Sequence, residues 1–455
     1  MRLHRQNYQK KRINDLNFFK MRIVIVVLIL VVYTKTWAQD APVVNEELKA
    51  LIQQGFAYFP QIKEIEQQTQ TNGMNVDLAK TYRLPTISGN ASYNYVTPVS
   101  QINNFPVAPG VSETFKFQPY NNVNAYVGLN YTLIDFGRLS SNIRKSKEQL
   151  SQAQYNIDLV QSQLASQIAN VYYSIIYYRE AVSIQDSVID YLSENKKVTE
   201  SKINHGDALS IDLLNIQASI DNEINAKISI QNQLQKNIYL LNYTTGLDSI
   251  KGNNGNFDFS YNNLNTEEVL KLASDNHPDF LMAKSKIRVA ESDVSVSKTQ
   301  NKPSLNVLAN AGYKNGYIPN IYAVRFNYLL GAAVTVPIYA GGRFRQQTAI
   351  NYNIVKTSQL SVNTLQNTYQ KDIASTISDI KSGRERLKNV ESQIAQAKAN
   401  QAYASSRYKN GTATYLDLTS ASSTYQRAVY SKLQIQFQLC QAYIELARLS
   451  GIKYW

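Results

Sequence analysis

The chain has 455 residues, of which 44% are hydrophobic, only 18% charged and 32 are tyrosine. Charge is below the ~25% usual in soluble domains, and the aromatic content excludes a disordered chain. The single cysteine, Cys440, excludes an internal disulfide and a cysteine-cluster metal centre, and His4, His205 and His277 are too few for a multi-histidine site, so neither metal nor cofactor is expected.

The net charge is +13, but the first 38 residues hold eight basic residues and one acid and so account for +7 of it, leaving +6 on the other 417. No basic cluster stands out there, and a nucleic-acid partner is not expected. Residues 23–32 form the apolar run IVIVVLILVV after Arg22, followed by Thr36-Trp37-Ala38. That pattern predicts a signal peptide over 1–38, with Met21 as the alternative start and Gln39 as the first mature residue. Ten apolar residues are too few for a bilayer-spanning helix, which needs about 20. No later run reaches the ~18 residues of a helical span.

A helix is predicted from Pro60 to about Arg83, roughly 30 Å long. Strict alternation then marks strands. Over 86–97, Ile87, Ala91, Tyr93 and Tyr95 alternate with Ser88, Asn90, Ser92 and Asn94. Over 122–135, Val123, Ala125, Val127, Leu129, Tyr131 and Leu133 share one face, with Asn124, Tyr126, Gly128, Asn130 and Thr132 on the other. Residues 97–120, with Pro98, Pro106, Pro109 and Pro119, are expected to form a long loop on the extracellular side. From 137 to 205 there is no proline and no internal glycine, and Leu139, Ile143, Leu150, Ile157, Val160, Leu164, Ile168, Val171 and Ile175 recur at spacings of 3, 4 and 7. That stripe predicts a coiled-coil-type helix of roughly 100 Å. Gly206 ends it, and a second helix runs over 207–246.

The whole series then recurs. Phe59-Pro60-Gln61-Ile62 returns 218 residues later as His277-Pro278-Asp279-Phe280, and Arg83-Leu84-Pro85-Thr86 as Asn301-Lys302-Pro303-Ser304. Downstream the shift is 205: Gly137-Arg138 returns as Gly342-Arg343, His205-Gly206 with Asp212-Leu213 as Asn410-Gly411 with Asp417-Leu418, and Gly246-Leu247 as Gly451-Ile452. The chain therefore divides into two tandem copies, 39–250 and 251–455. Copy two has expected strands at 304–314 and 325–338 and helices at 342–410 and 412–451, with Gly383 inside the first of these helices.

Strands of 10–13 residues are long enough to cross a bilayer when tilted. A soluble sandwich would use the same apolar face as core but needs about seven strands. Four strands cannot close a barrel, and an open edge cannot sit in lipid. Chains must therefore associate, a dimer giving eight strands and a trimer twelve. In each copy the short helix and the 207–246 helix together nearly match the long helix in length, which suggests a hollow helical cylinder continuing the strands.

This order of helix, Pro, strand, loop, strand, Gly-Arg, long helix, Gly turn and helix, twice over, resembles the outer membrane efflux protein (TolC) family across essentially all of the mature chain. The segments Tyr408-Lys409-Asn410-Gly411-Thr412 with Leu416-Asp417-Leu418, and Gly206-Asp207 with Ile211-Asp212-Leu213, are similar to its periplasmic helix tips. The resemblance implies an α+β membrane protein, with four strands per chain in a homotrimeric twelve-strand barrel in outer-membrane lipid and a long α-helical tunnel in the periplasm of a bacterium. It implies a passive exit duct, with a periplasmic adaptor docked at the tips around Gly206 and Gly411 and an inner-membrane pump, proton-driven or ATP-driven, as energy source. It further implies that Tyr408 belongs to an aperture network with Asp212 as its acidic acceptor, and that Asp417 is the first aspartate of an acidic ring. Ala413 stands at the network arginine and Ser420 at the second ring aspartate, so a weaker or differently built gate is expected.

From the residues alone, Asp212 and Asp417 fit helix-dipole partners as well as gate members. No phosphate loop, Gly-x-Ser-x-Gly or His-Glu metal motif occurs, so no enzyme is expected. The competing readings are a duct for polypeptide secretion and an exported coiled-coil structural protein.

Overall fold

The computed structural model describes residues 42–249 and 256–455. The expected signal peptide, its cleavage site and the alternative start lie outside the described residues. Copy one runs α1 (Glu46–Tyr58), α2 (Pro60–Thr81), β1 (Thr86–Tyr95), β2 (Gln101–Ala108), β3 (Val111–Lys116), β4 (Asn121–Ile134), α3 (Arg138–His205) and α4 (Ser210–Thr245). Copy two runs α5 (Thr266–Asn276), α6 (Pro278–Thr299), β5 (Ser304–Lys314), β6 (Arg325–Thr335), α7 (Arg343–Lys409) and α8 (Tyr415–Ser450). The α+β fold with two repeats of strands and long helices is the one the sequence analysis expects.

Local chemistry explains the matched starts. Asn45 accepts the Glu47 N–H at 2.8 Å and Asn265 accepts that of Glu267 at 3.1 Å, each capping a helix N-terminus with acids in its first turn. Phe59 and His277 end those helices in extended conformation because each precedes a proline, whose ring disfavours the helical region for its neighbour. The proline then opens the next helix, where its missing N–H costs nothing.

The chain forms two compact units, and each draws on both copies. One takes residues up to Lys63, Asp158–Leu281 and Leu365–Trp455; the other takes Glu64–Ile157 and Met282–Thr364.

The second unit holds the antiparallel sheet, in the order β1-β4-β5-β6. Its register places Ile87 opposite Leu129, Leu129 opposite Ala309 and Ala309 opposite Leu330. A second row runs Ala91, Ala125, Tyr313, Phe326. Residues directly opposite lie on one face, so these rows build one continuous apolar surface. That surface is bare in the single chain: Ile87, Val127, Tyr313, Phe326, Leu330 and Val334 are all exposed. The other face carries Ser88, Asn90, Ser92, Asn124, Asn130, Asn310 and Asn327, where Thr132 donates to Asn306 at 2.8 Å. The outer strands β1 and β6 each leave one edge unpaired among the described residues.

One expectation is corrected here. Residues 97–120 are not a plain loop but carry a β2–β3 hairpin, with Ile102 opposite Phe115 and Ala108 opposite Val111. The prolines hid it. In a two-stranded ribbon both strands are edges, so Pro106 stands in β2 without removing a ladder bond from a third strand. Phe115 holds the ribbon's aromatic side, 5.6 Å from Phe105 and 5.2 Å from Phe117 between ring centroids.

The first unit holds most of the buried core. Tyr172 and Tyr173 of α3 are fully buried; their hydroxyls donate to Glu47 at 3.1 Å and to Asp258 at 2.6 Å. Asn45 donates to the other Asp258 oxygen at 3.0 Å, and Val43 bridges Ser260, so the starts of the two copies are tied together. His277 lies at the α5–α6 joint, fully buried. Its Nδ1 accepts the Asp279 N–H at 3.1 Å, and Tyr369 of α7 donates to the Asp279 carboxylate at 2.6 Å.

Burial drives the His277 imidazole down to about 4, against an upward pull from Asp279. An unfolded chain with an ordinary histidine therefore takes up a proton at a pH where the folded chain refuses it. Stability from this group is complete above ~6.5 and is lost as pH falls towards 4, on the order of 3 kcal/mol in all. The thermal unfolding temperature is expected to drop across that window, and to drop less in His277→Gln. Equal slopes for the two proteins would remove His277 as the cause.

Candidate functional site at the helix tips

The α3–α4 and α7–α8 turns are built alike. Gly206 and Gly411 have φ of +80° and +72°, the left-handed region where a side chain is disfavoured. Asp207 N–H donates to Lys202 O at 2.8 Å, and Thr412 N–H to Arg407 O at 2.9 Å. Each bond closes a six-residue return that satisfies an orphan carbonyl at the end of a long helix.

The next helix starts differ. In copy two, Thr414 and Asp417 form a full capping box. The Thr414 N–H donates to Asp417 at 2.9 Å, the Asp417 N–H to Thr414 Oγ1 at 3.2 Å, and the Thr414 hydroxyl donates back at 2.8 Å. The Thr414 backbone, then its side chain, hold the Asp417 carboxyl below the ordinary carboxylate range. In copy one the cap residue is Leu209, which has no hydroxyl to give; its N–H reaches the Asp212 carboxylate at 3.4 Å and its carbonyl accepts the Asp212 N–H at 3.0 Å. Both aspartates thus serve helix N-termini. Asp417 remains exposed and Asp212 half-exposed.

Tyr408 is not hydrogen-bonded to Asp212. Its ring is 5% exposed and its hydroxyl lies 2.7 Å from that of Thr199 on α3, itself fully buried. Thr199 donates its own proton to the Asn195 carbonyl at 2.9 Å, so it accepts from Tyr408. Burial is the largest influence on the Tyr408 phenol and raises its pKa, and Asp212 and Tyr415 add to it. Lys202 Nζ stands 5.2 Å above the Tyr408 ring, a cation–π contact. Arg407 donates to the Thr412 carbonyl at 2.6 Å and faces the Tyr403 ring at 5.8 Å. A cross-copy link therefore exists at the tip, but it runs from Tyr408 to Thr199, with Lys202 above the ring.

Sequence reasoning missed Thr199, and it placed Lys202 at the tip without linking it to Tyr408. The copy-one counterpart of Tyr408 is Ile203 by the 205-residue shift, so no repeat signal marks its partner. The tip core beneath consists of Leu192, Ile216 and Ile220, with Val188 and Tyr415 packed on it. Leu209 and Leu416, in contrast, point outwards at 68% and 76% exposure. Among the described residues no cluster of histidine, cysteine or acid could hold a metal ion, and no helix is long and apolar enough to cross a membrane.

Comparison with known proteins gives a consistent picture. Residues 51–246 and 269–452 match the outer membrane efflux protein family. The chain is 26% identical over 168 residues to the outer membrane efflux protein BepC of Brucella suis, a match covering 35% of this chain and 32% of that protein. It therefore spans about a third of that relative's length. It is 20% identical over 352 residues to the pyoverdine export outer membrane protein OpmQ of Pseudomonas aeruginosa, covering 75% of this chain and 72% of that one. The crystal structure of the outer membrane protein VceC from Vibrio cholerae superposes with a TM-score of 0.74 at 16% identity, over 90% of this chain and 97% of that one.

Proposed function

The chain belongs to the outer membrane efflux protein family, and from that premise we propose that it is the outer-membrane exit duct of a tripartite export system. It carries small molecules passively across the periplasm and outer membrane, driven by an inner-membrane pump through a periplasmic adaptor. The observation that carries this reading is the bare apolar face of the four-stranded sheet, flanked by two unpaired edges. Lipid suits that face, and only closure with other copies suits those edges. Three copies give twelve strands, β1 of one meeting β6 of the next, and leave the asparagine- and serine-rich face towards a wet bore. The signal peptide at 1–38 delivers the chain, and the two copies at 39–250 and 251–455 supply matching halves of the wall.

The tips take two roles. The Gly206 and Gly411 turns, with Leu209 and Leu416 outward beside them, are the adaptor-docking surface. Tyr408 holds the aperture through Thr199, while Asp212 and Asp417 bring a carboxylate from each copy to the same end. A gate held by one neutral hydrogen bond per chain is weaker than one held by an arginine, in keeping with Ala413 and Ser420.

Crosslinking in cells from Lys409, which is exposed at the α7 end, tests the assembly. Lys202 is the poorer anchor because it is engaged over Tyr408. Capture of an adaptor with a proton-driven pump is the expected result. An adaptor with an ATP-driven exporter would move the cargo towards polypeptides. A correctly assembled trimer that captures neither would sink the tripartite reading and leave a structural coiled-coil protein.

A further inference from the structure

In the first unit, next to the Leu192 and Val188 side of the tip core, a cavity of about 330 Å³ lies among α3, α4, α7 and α8. Its wall is divided by chemistry. Ile184, Val188 and Val429 make an apolar side, and Glu223 of α4 brings a carboxylate to the other. Gln426 donates to both Glu223 oxygens at 3.2 Å, and Gln185 donates to one of them and, at 3.0 Å, to the Glu223 carbonyl.

All of these donors are neutral, and neither lysine nor arginine lines the cavity. The adjacent Lys227 is paired with Asp186 at 2.5 Å. The negative charge of Glu223 is thus solvated by amides, and among the described residues no lysine or arginine forms an ion pair with it. A second polar group is left over. The Tyr191 hydroxyl, on the same cavity wall, is buried with no hydrogen-bond partner among the described residues. Buried polar groups are seldom left so, and one that is invites an occupant.

From this geometry we infer that the cavity is a binding site for a protonated amine on a compact apolar body. The ammonium donates to Glu223 and to the lone pairs of Tyr191, and the apolar body lies on Ile184, Val188 and Val429. Anions are disfavoured by Glu223. A neutral apolar molecule forgoes the charge-assisted bond, which is roughly twice as strong as a neutral one. An occupant touches helices of both copies, so it resists any sliding of α3 and α4 against α8.

The test uses the assembled protein in detergent, with 4-phenylbutylammonium as probe and 4-phenylbutan-1-ol as its neutral counterpart, read by calorimetry. The amine is expected to bind saturably and about tenfold or more tightly than the alcohol. Glu223→Gln is expected to abolish that preference, and Ser422→Phe, which fills the cavity, to abolish binding of both. Equal affinity for amine and alcohol, no saturable binding of the amine, or binding that survives Ser422→Phe would each overturn the proposal. The amine-to-alcohol comparison needs no variant, so it decides the matter even where a substitution blocks assembly.

Discussion

Leu330→Lys is expected to abolish assembly in the outer membrane. Leu330 is the middle residue of β6, 75% exposed in the single chain, and closes the row that begins at Ile87 and passes through Leu129 and Ala309. At mid-strand it stands near the centre of the hydrocarbon layer if the apolar face meets lipid. A lysine there costs about 2–4 kcal/mol, once per chain and so three times in a closed trimer. Whole-domain stability is only about 5–15 kcal/mol, so the loss is of the size that decides folding. The matched control is Asn90→Lys, at mid-strand in β1 but on the opposite face, beside Tyr126. Facing a wet bore, it should assemble at wild-type level. Membrane fractionation with detection of the trimer reads both variants. A Leu330→Lys protein that assembles as well as Asn90→Lys would mean that protein, not lipid, covers the apolar face.

That contrast between faces was legible in the sequence because alternation over ten or more residues is a long, redundant signal. The long helices were legible for the same reason, and Gly206 and Gly411 marked their ends through a backbone requirement few other residues meet. The β2–β3 hairpin was not, because its prolines argue against a strand and only the missing third strand makes them harmless. At the tip, Asp212 and Asp417 could be picked out by position, but whether each caps a helix or meets Tyr408 depends on distances of a few ångström. Copy two has Thr414 to complete its capping box while copy one has Leu209, a difference plain in the letters only once the box is seen. The partner of Tyr408 is 209 residues away on another helix, and no local period connects the two.

Tyr408→Phe is expected to raise the open probability of the channel on the order of a hundredfold. The substitution keeps the ring, and with it the packing and the Lys202 contact at 5.2 Å. It removes only the hydroxyl that donates to Thr199, which is fully buried. A neutral hydrogen bond contributes about 0.5–1.5 kcal/mol net. Three chains opening in concert lose three such bonds, on the order of 3 kcal/mol, and each ~1.4 kcal/mol is a factor of ten in the equilibrium. Single-channel recording in planar bilayers measures it directly. Thr199→Val breaks the same bond from the other side. It also frees the Asn195 carbonyl, which the helix already satisfies in part, so its effect should be similar in size. The double variant should then add little to either single one, because two changes that delete one shared contact do not sum. Additive effects would show that Tyr408 and Thr199 act separately, and unchanged gating in Tyr408→Phe would show that this bond does not hold the aperture.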